Sequence, residues 1–102
     1  MDPVYKTEWK VPSPTQENNL TNVYHRVENY CTEQFHAINR IARDGGQAEW
    51  ENVFCLTPDD IIVELCSTHE KSGVVSMTIK LASFKTPVEP LKATLTELIS
   101  QK

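Results

Sequence analysis

The chain has 102 residues, 39% hydrophobic and 24% charged, with a formal net charge of −4. That is the balance of one globular domain, not of a disordered segment or a collagenous one. No cluster of Lys or Arg stands out, so phosphate-driven nucleic-acid binding is disfavoured, and no apolar run approaches the roughly 20 residues that span a bilayer.

The N-terminus, MDPVYKTEWK, lacks the apolar core of a secretory signal. The expected compartment is therefore cytoplasmic or nuclear, with no membrane partner, and the sequon Asn19-Leu20-Thr21 reads as coincidence. Three cysteines, Cys31, Cys55 and Cys66, are an odd number without CxxC spacing. Reduced thiols are expected, and neither a disulfide framework nor a zinc site.

The first predicted element is a half-buried strand in VYKTEWKVPSP. Tyr5, Thr7, Trp9 and Val11 alternate with Lys6, Glu8 and Lys10, and Pro12 and Pro14 end it. Next comes a long helix from Thr15 to the Gly45-Gly46 stop. Leu20, Val23, Tyr24, Val27, Cys31, Phe35, Ile38, Ile41 and Ala42 recur at helical spacing. Arg40 and Arg43 suit its last turns. On its other face His25 and His36 point the same way but stand on the order of 16 Å apart by helical rise, too far to share a metal. Gln34 falls inside the apolar stripe and would need a polar partner.

The stretch ENVFCLTPDDIIVELCST is ambiguous. Thr57-Pro58-Asp59-Asp60 opens like a helix, and residues 58–71 could form one. However, Ile61-Ile62-Val63 is β-branched three times in a row, which favours a strand. Strands at ENVFCL, IIVELC and VVSMTIKLAS then make an antiparallel meander, and the aspartates serve a turn. The last element, TPVEPLKATLTELISQK, is a helix. Thr86 and Glu89 are spaced as a capping box, with Pro87 at the first helical position. Pro90 allows a later start at Glu89.

The expected fold is α+β, a four-stranded and mainly antiparallel sheet with both helices on one face, in the order β-α-β-β-β-α. Trp9, Trp50, Phe54, Ile61, Val63, Leu65, Met77, Ile79 and Leu81 would meet the helices. That order is similar, as topology only, to two RNA-facing folds, the double-stranded RNA-binding domain and the ribosome hibernation factor domain. No motif is shared. The resemblance implies an RNA-associated domain as a third reading, resting on Lys80, Lys85 and Lys92 with Glu89 between them.

No catalytic signature, phosphate loop or metal motif is present, and no cofactor is expected. Asp59 and Asp60 at a turn tip would be solvated, without the burial that a catalytic carboxylate pair needs. Cys31 lies on the helix stripe away from His25 and His36. A Cys66–His69 pair would need an unusual turn.

The informative feature is the sheet face away from the helices. It is expected to carry Val53, Cys55, Ile62, Cys66 and Val74 among Glu51, Glu64, Ser76, Thr78 and Lys80. An apolar patch rimmed by charge is what a partner surface looks like. The leading reading is a small, soluble, acidic, non-enzymatic protein-protein interaction module, a homodimer or a subunit of an assembly. Its partner-binding residues would be Val53, Cys55, Ile62, Glu64, Cys66, Val74 and Thr78. The alternative is a small enzyme or ligand-binding domain with a pocket between helix and sheet, lined by Gln34, Tyr24, Tyr30 or a histidine.

Overall fold

The computed structural model describes residues 2–12 and 19–101. The elements are β1 (Tyr5–Lys10), α1 (Leu20–Gln34), β2 (His36–Asp44), β3 (Glu49–Leu56), β4 (Ile62–Glu70), β5 (Gly73–Ser83) and α2 (Glu89–Ser100). The expected strand end at Pro14 and helix start at Thr15 lie outside the described residues. The class is α+β with an antiparallel sheet, but the sheet has five strands, ordered β1-β5-β4-β3-β2.

The additional strand comes from the second half of the expected long helix. Asn19 caps α1, its side chain accepting from the Asn22 N–H at 2.9 Å. The buried stripe then runs Leu20, Val23, Tyr24, Val27, Cys31 and stops. Phe35 is already extended. From His36 the chain doubles back on β3, pairing His36 with Leu56 through to Asp44 with Glu49. Asp44-Gly45-Gly46 is a hairpin turn, not a helix stop. The Asp44 carboxylate accepts from the Gly46 N–H at 2.8 Å, and the Gly45 N–H donates to the Ala48 carbonyl at 2.8 Å. Ile38 and Ile41, expected in the core, are 52% and 39% exposed.

The ambiguous stretch is a strand. β4 pairs with both β3 and β5, and Pro58-Asp59-Asp60 is a three-residue hairpin loop. The Asp60 N–H donates to the Thr57 carbonyl at 3.0 Å, and Asp60 has a left-handed φ of 64°. Both aspartates are exposed. Asp60 meets Lys85 at 2.6 Å, and the Asp59 carbonyl accepts from the Thr86 hydroxyl at 2.5 Å. That contact diverts Thr86 from the capping box, and α2 starts at Glu89 without a side-chain cap.

Both helices lie on one face. Val63, Leu65, Met77, Ile79 and Leu81 pack with the α1 stripe, and with Leu95 of α2, into one core. Arg26 of α1 donates to the carbonyls of Leu98 and Gln101 at 3.1 and 2.8 Å, placing a cation at the carbonyl end of α2. At the β4–β5 turn, Gly73 has a φ of +121°, and a Cβ there would fall 2.2 Å from Thr21 Oγ1. Its bare backbone lets the Val74 N–H donate to that hydroxyl at 2.9 Å.

Two strands differ in phase from expectation. Val53 and Cys55, placed on the open face by the sequence, are 2% and 0% exposed, opposite Leu65 and Val63 on the helix side. Trp50 and Phe54, expected inside, therefore face out. In β5 the register shifts so that His69 pairs with Val74 and Thr68 with Ser76, leaving Val75 as a bulge. Val74 thereby turns into the core at 8% exposure, and Val75 is 40% exposed.

Candidate interaction surface

Strand pairing arranges the open face in rows that cross the sheet. One row is His36, Leu56, Ile62, Ala82 and Lys6; the next is Asn39, Phe54, Glu64, Lys80 and Glu8. Then come Ile41, Asn52, Cys66, Thr78 and Lys10, and last Arg43, Trp50, Thr68 and Ser76. The face is divided. Ile41, Trp50, Phe54, Leu56 and Ile62 cluster at the β2–β3–β4 side, and Lys6, Glu8, Lys10 and Lys80 occupy the β1–β5 side.

Of the residues expected to bind a partner, Ile62, Glu64, Cys66 and Thr78 are on this face, and Ile62 is 38% exposed. Val53, Cys55 and Val74 are in the core beneath α1. The apolar surface is instead made by Trp50, Phe54, Leu56 and Ile41. Trp50, 47% exposed, is seated by the hairpin turn. A Cβ on Gly45 would fall 2.2 Å from the Trp50 ring, so the indole lies directly against the glycine. The Asp44-Gly45-Gly46 turn is the sequence signal that could have revealed both β2 and the orientation of Trp50.

Polar side chains hold the centre of the face in place. Asn52 donates to Glu64 Oε2 at 2.7 Å, and the Cys66 thiol donates to the same oxygen at 3.1 Å. Burial, reinforced by that hydrogen bond to Glu64, pushes the Cys66 thiol up to about 11. Cys31 is pushed up to about 12 by burial, and burial also raises Cys55. All three are free and protonated at neutral pH, the opposite of a nucleophilic cysteine. Cys66 and His69 are on opposite faces of β4, and His69 instead hydrogen-bonds Ser67 at 2.8 Å.

On the helix side, Arg40 of β2 donates to Glu51 at 2.5 Å and to Glu28 of α1 at 3.2 Å. The buried Tyr24 hydroxyl donates to the same Glu51 oxygen. Burial raises the Tyr24 phenol, and the hydrogen bonds to Glu28 and Glu51 raise it further. This network is closed upon itself and stitches α1 to the β2–β3 hairpin.

Of the residues expected to line the alternative ligand pocket, Tyr24 meets His25 and His69 edge-on at 5.6 and 5.1 Å, but Gln34 and Tyr30 do not join them. Gln34 is exposed at the end of α1, Tyr24 is committed to Glu51, and Tyr30 stacks edge-on with Phe35 at 5.7 Å. The cleft beside Phe35 holds about 260 Å3, and its lining includes Thr57, Ile61, Pro90 and Leu91, none of them the expected pocket residues. Among the described residues no group of His, Cys, Asp and Glu could hold a metal ion, and no helix is long and apolar enough to cross a membrane. Comparison with protein-family models, curated proteins and solved structures finds no match.

Proposed function

We propose that this protein is an interaction module that binds another protein through the β2–β3–β4 part of its open sheet face and the free edge of β2. The observation that carries this reading is the exposure of every residue of β2 beside the apolar cluster of Ile41, Trp50, Phe54 and Ile62. A free strand edge offers unpaired N–H and C=O groups to an incoming chain. The apolar cluster adds burial worth roughly 1.5–3 kcal/mol per fully covered side chain.

A peptide-display selection against the intact protein tests this. Selected peptides should lose binding to Ile41→Lys and Phe54→Lys variants and keep it for His25→Lys and Thr32→Lys variants on the α1 surface. The reverse pattern would move the binding surface to the helix.

A further inference from the structure

We infer that the occupant of the β2 edge is an extended segment of another protein, with an acidic residue two positions from an apolar one, added to the sheet as a sixth strand. The inference rests on the interaction reading above and names the chemistry of the partner.

The basis is the charge left over on that edge. Within the four open-face rows, Lys6, Lys10, Lys80 and Arg43 stand against Glu8 and Glu64, while the whole chain carries −4. Glu70 lies beyond the last row, paired with Gly73. The open face is thus the cationic side of an acidic protein. On β2 itself the two arginines differ. Arg40 faces the helices and is met by Glu28 and Glu51. Arg43 faces outward beside Trp50 and its guanidinium makes no hydrogen bond or ion pair with another described residue.

Ile41 and Arg43 are two residues apart, so they present side chains to the same face. A strand laid alongside places its own residues opposite them at the same spacing, in either direction. An apolar side chain opposite Ile41 extends the cluster, and a carboxylate opposite Arg43 supplies the missing counter-charge; cross-strand pairs of both kinds are favourable. A second copy of this chain fits less well. The open-face residues that β2 would offer are His36, Asn39, Ile41 and Arg43, none of them acidic, so self-pairing leaves Arg43 without a carboxylate.

The test uses two synthetic heptapeptides, TVTETVT and TVTKTVT, titrated at millimolar concentration into the 15N-labelled full chain. The symmetric design sets valine two positions from the charge in both strand directions. The amides of residues 36–44 should shift with the glutamate peptide. The wild type should bind it at least about threefold more tightly than the lysine peptide, as expected of one exposed charge pair. Arg43→Glu, at an exposed site, should reverse the preference. Equal shifts on β2 with both peptides would overturn the acidic assignment and leave the edge as the binding surface. No shift on β2 with either peptide would overturn the inference, and the display selection would then judge the broader reading separately. A dimer in solution that Ile41→Lys dissociates would make a second copy the occupant and overturn it as well.

Discussion

The two edges of the sheet are built differently. β1 is six residues long, carries Lys6, Glu8 and Lys10 on its open face, and is flanked by Pro3 and Pro12. Its inner side is sealed: Trp9 packs on the core, and the Lys92 ammonium sits 5.3 Å from the centre of its ring. Short length, charge and proline are the usual protections of an edge strand. β2 is nine residues long, has no proline or lysine, and presents Ile38 and Ile41. A register shift between Ala37 and Asn39 is its one irregularity. The contrast teaches that exposure alone does not mark a binding edge; β1 is short, charged and flanked by proline, whereas β2, with one bulge and its own charged side chains, is longer, lacks proline and keeps Ile38 and Ile41 exposed.

The largest test of this division concerns the two faces. Val53→Asp buries a charge under α1 and should cost about 4 kcal/mol or more, enough to unfold the chain. Ile62→Lys, on the open face, should change stability by less than about 1 kcal/mol in urea titration. Similar losses for the two would break the assignment of the β3 and β4 faces.

The two tryptophans offer the next comparison. Trp9→Ala removes a half-buried ring from beneath α2 and should cost about 2–3 kcal/mol, below the range for a fully buried ring. Trp50→Ala should cost less than about 1 kcal/mol and instead weaken peptide binding. A larger stability loss at Trp50 would mean that its ring belongs to the core.

Alkaline pH sharpens the picture of the core. The Cys31 thiol, pushed up to about 12 in the folded chain from an ordinary 9.0, binds its proton more tightly folded than unfolded. Its contribution to stability is complete below about pH 9 and is lost as pH rises toward 12. Stability should fall across that window, and Cys31→Ala should flatten the fall relative to wild type.

The smallest expected effect is at the β3–β4 turn. Asp60 holds a left-handed φ of 64°, which glycine adopts without strain. Asp60→Gly should leave stability within about 1 kcal/mol of wild type or raise it slightly, since the exposed ion pair to Lys85 contributes little. Asp59→Asn and Asp60→Asn should leave binding intact.

Much of the fold was legible because burial wrote it into the sequence. β1, β4, most of β5 and the first half of α1 alternate or repeat as their buried faces require. The second half of the expected helix misled for the complementary reason. Phe35, Ile38, Ile41 and Ala42 keep helical spacing, but only Phe35 packs on the core, so burial did not produce that spacing. Asp44-Gly45-Gly46, a hairpin turn, was the competing signal.

In β3 both faces carry apolar side chains, Val53 and Cys55 on one and Trp50 and Phe54 on the other. Alternation then has two solutions, and only the register with β4 selects one. The bulge at Val75 inverted Val74 in the same way. An open apolar face was therefore legible, whereas most of the residues that compose it were not.

The most direct test of the central claim is a 15N chemical-shift map of the chain with a display-selected peptide bound. The claim predicts shifts concentrated at residues 36–44 and 50–56, with residues 5–10 of the opposite edge unchanged. Shifts centred on β1, or on the exposed side of α1, with β2 unmoved, would contradict it.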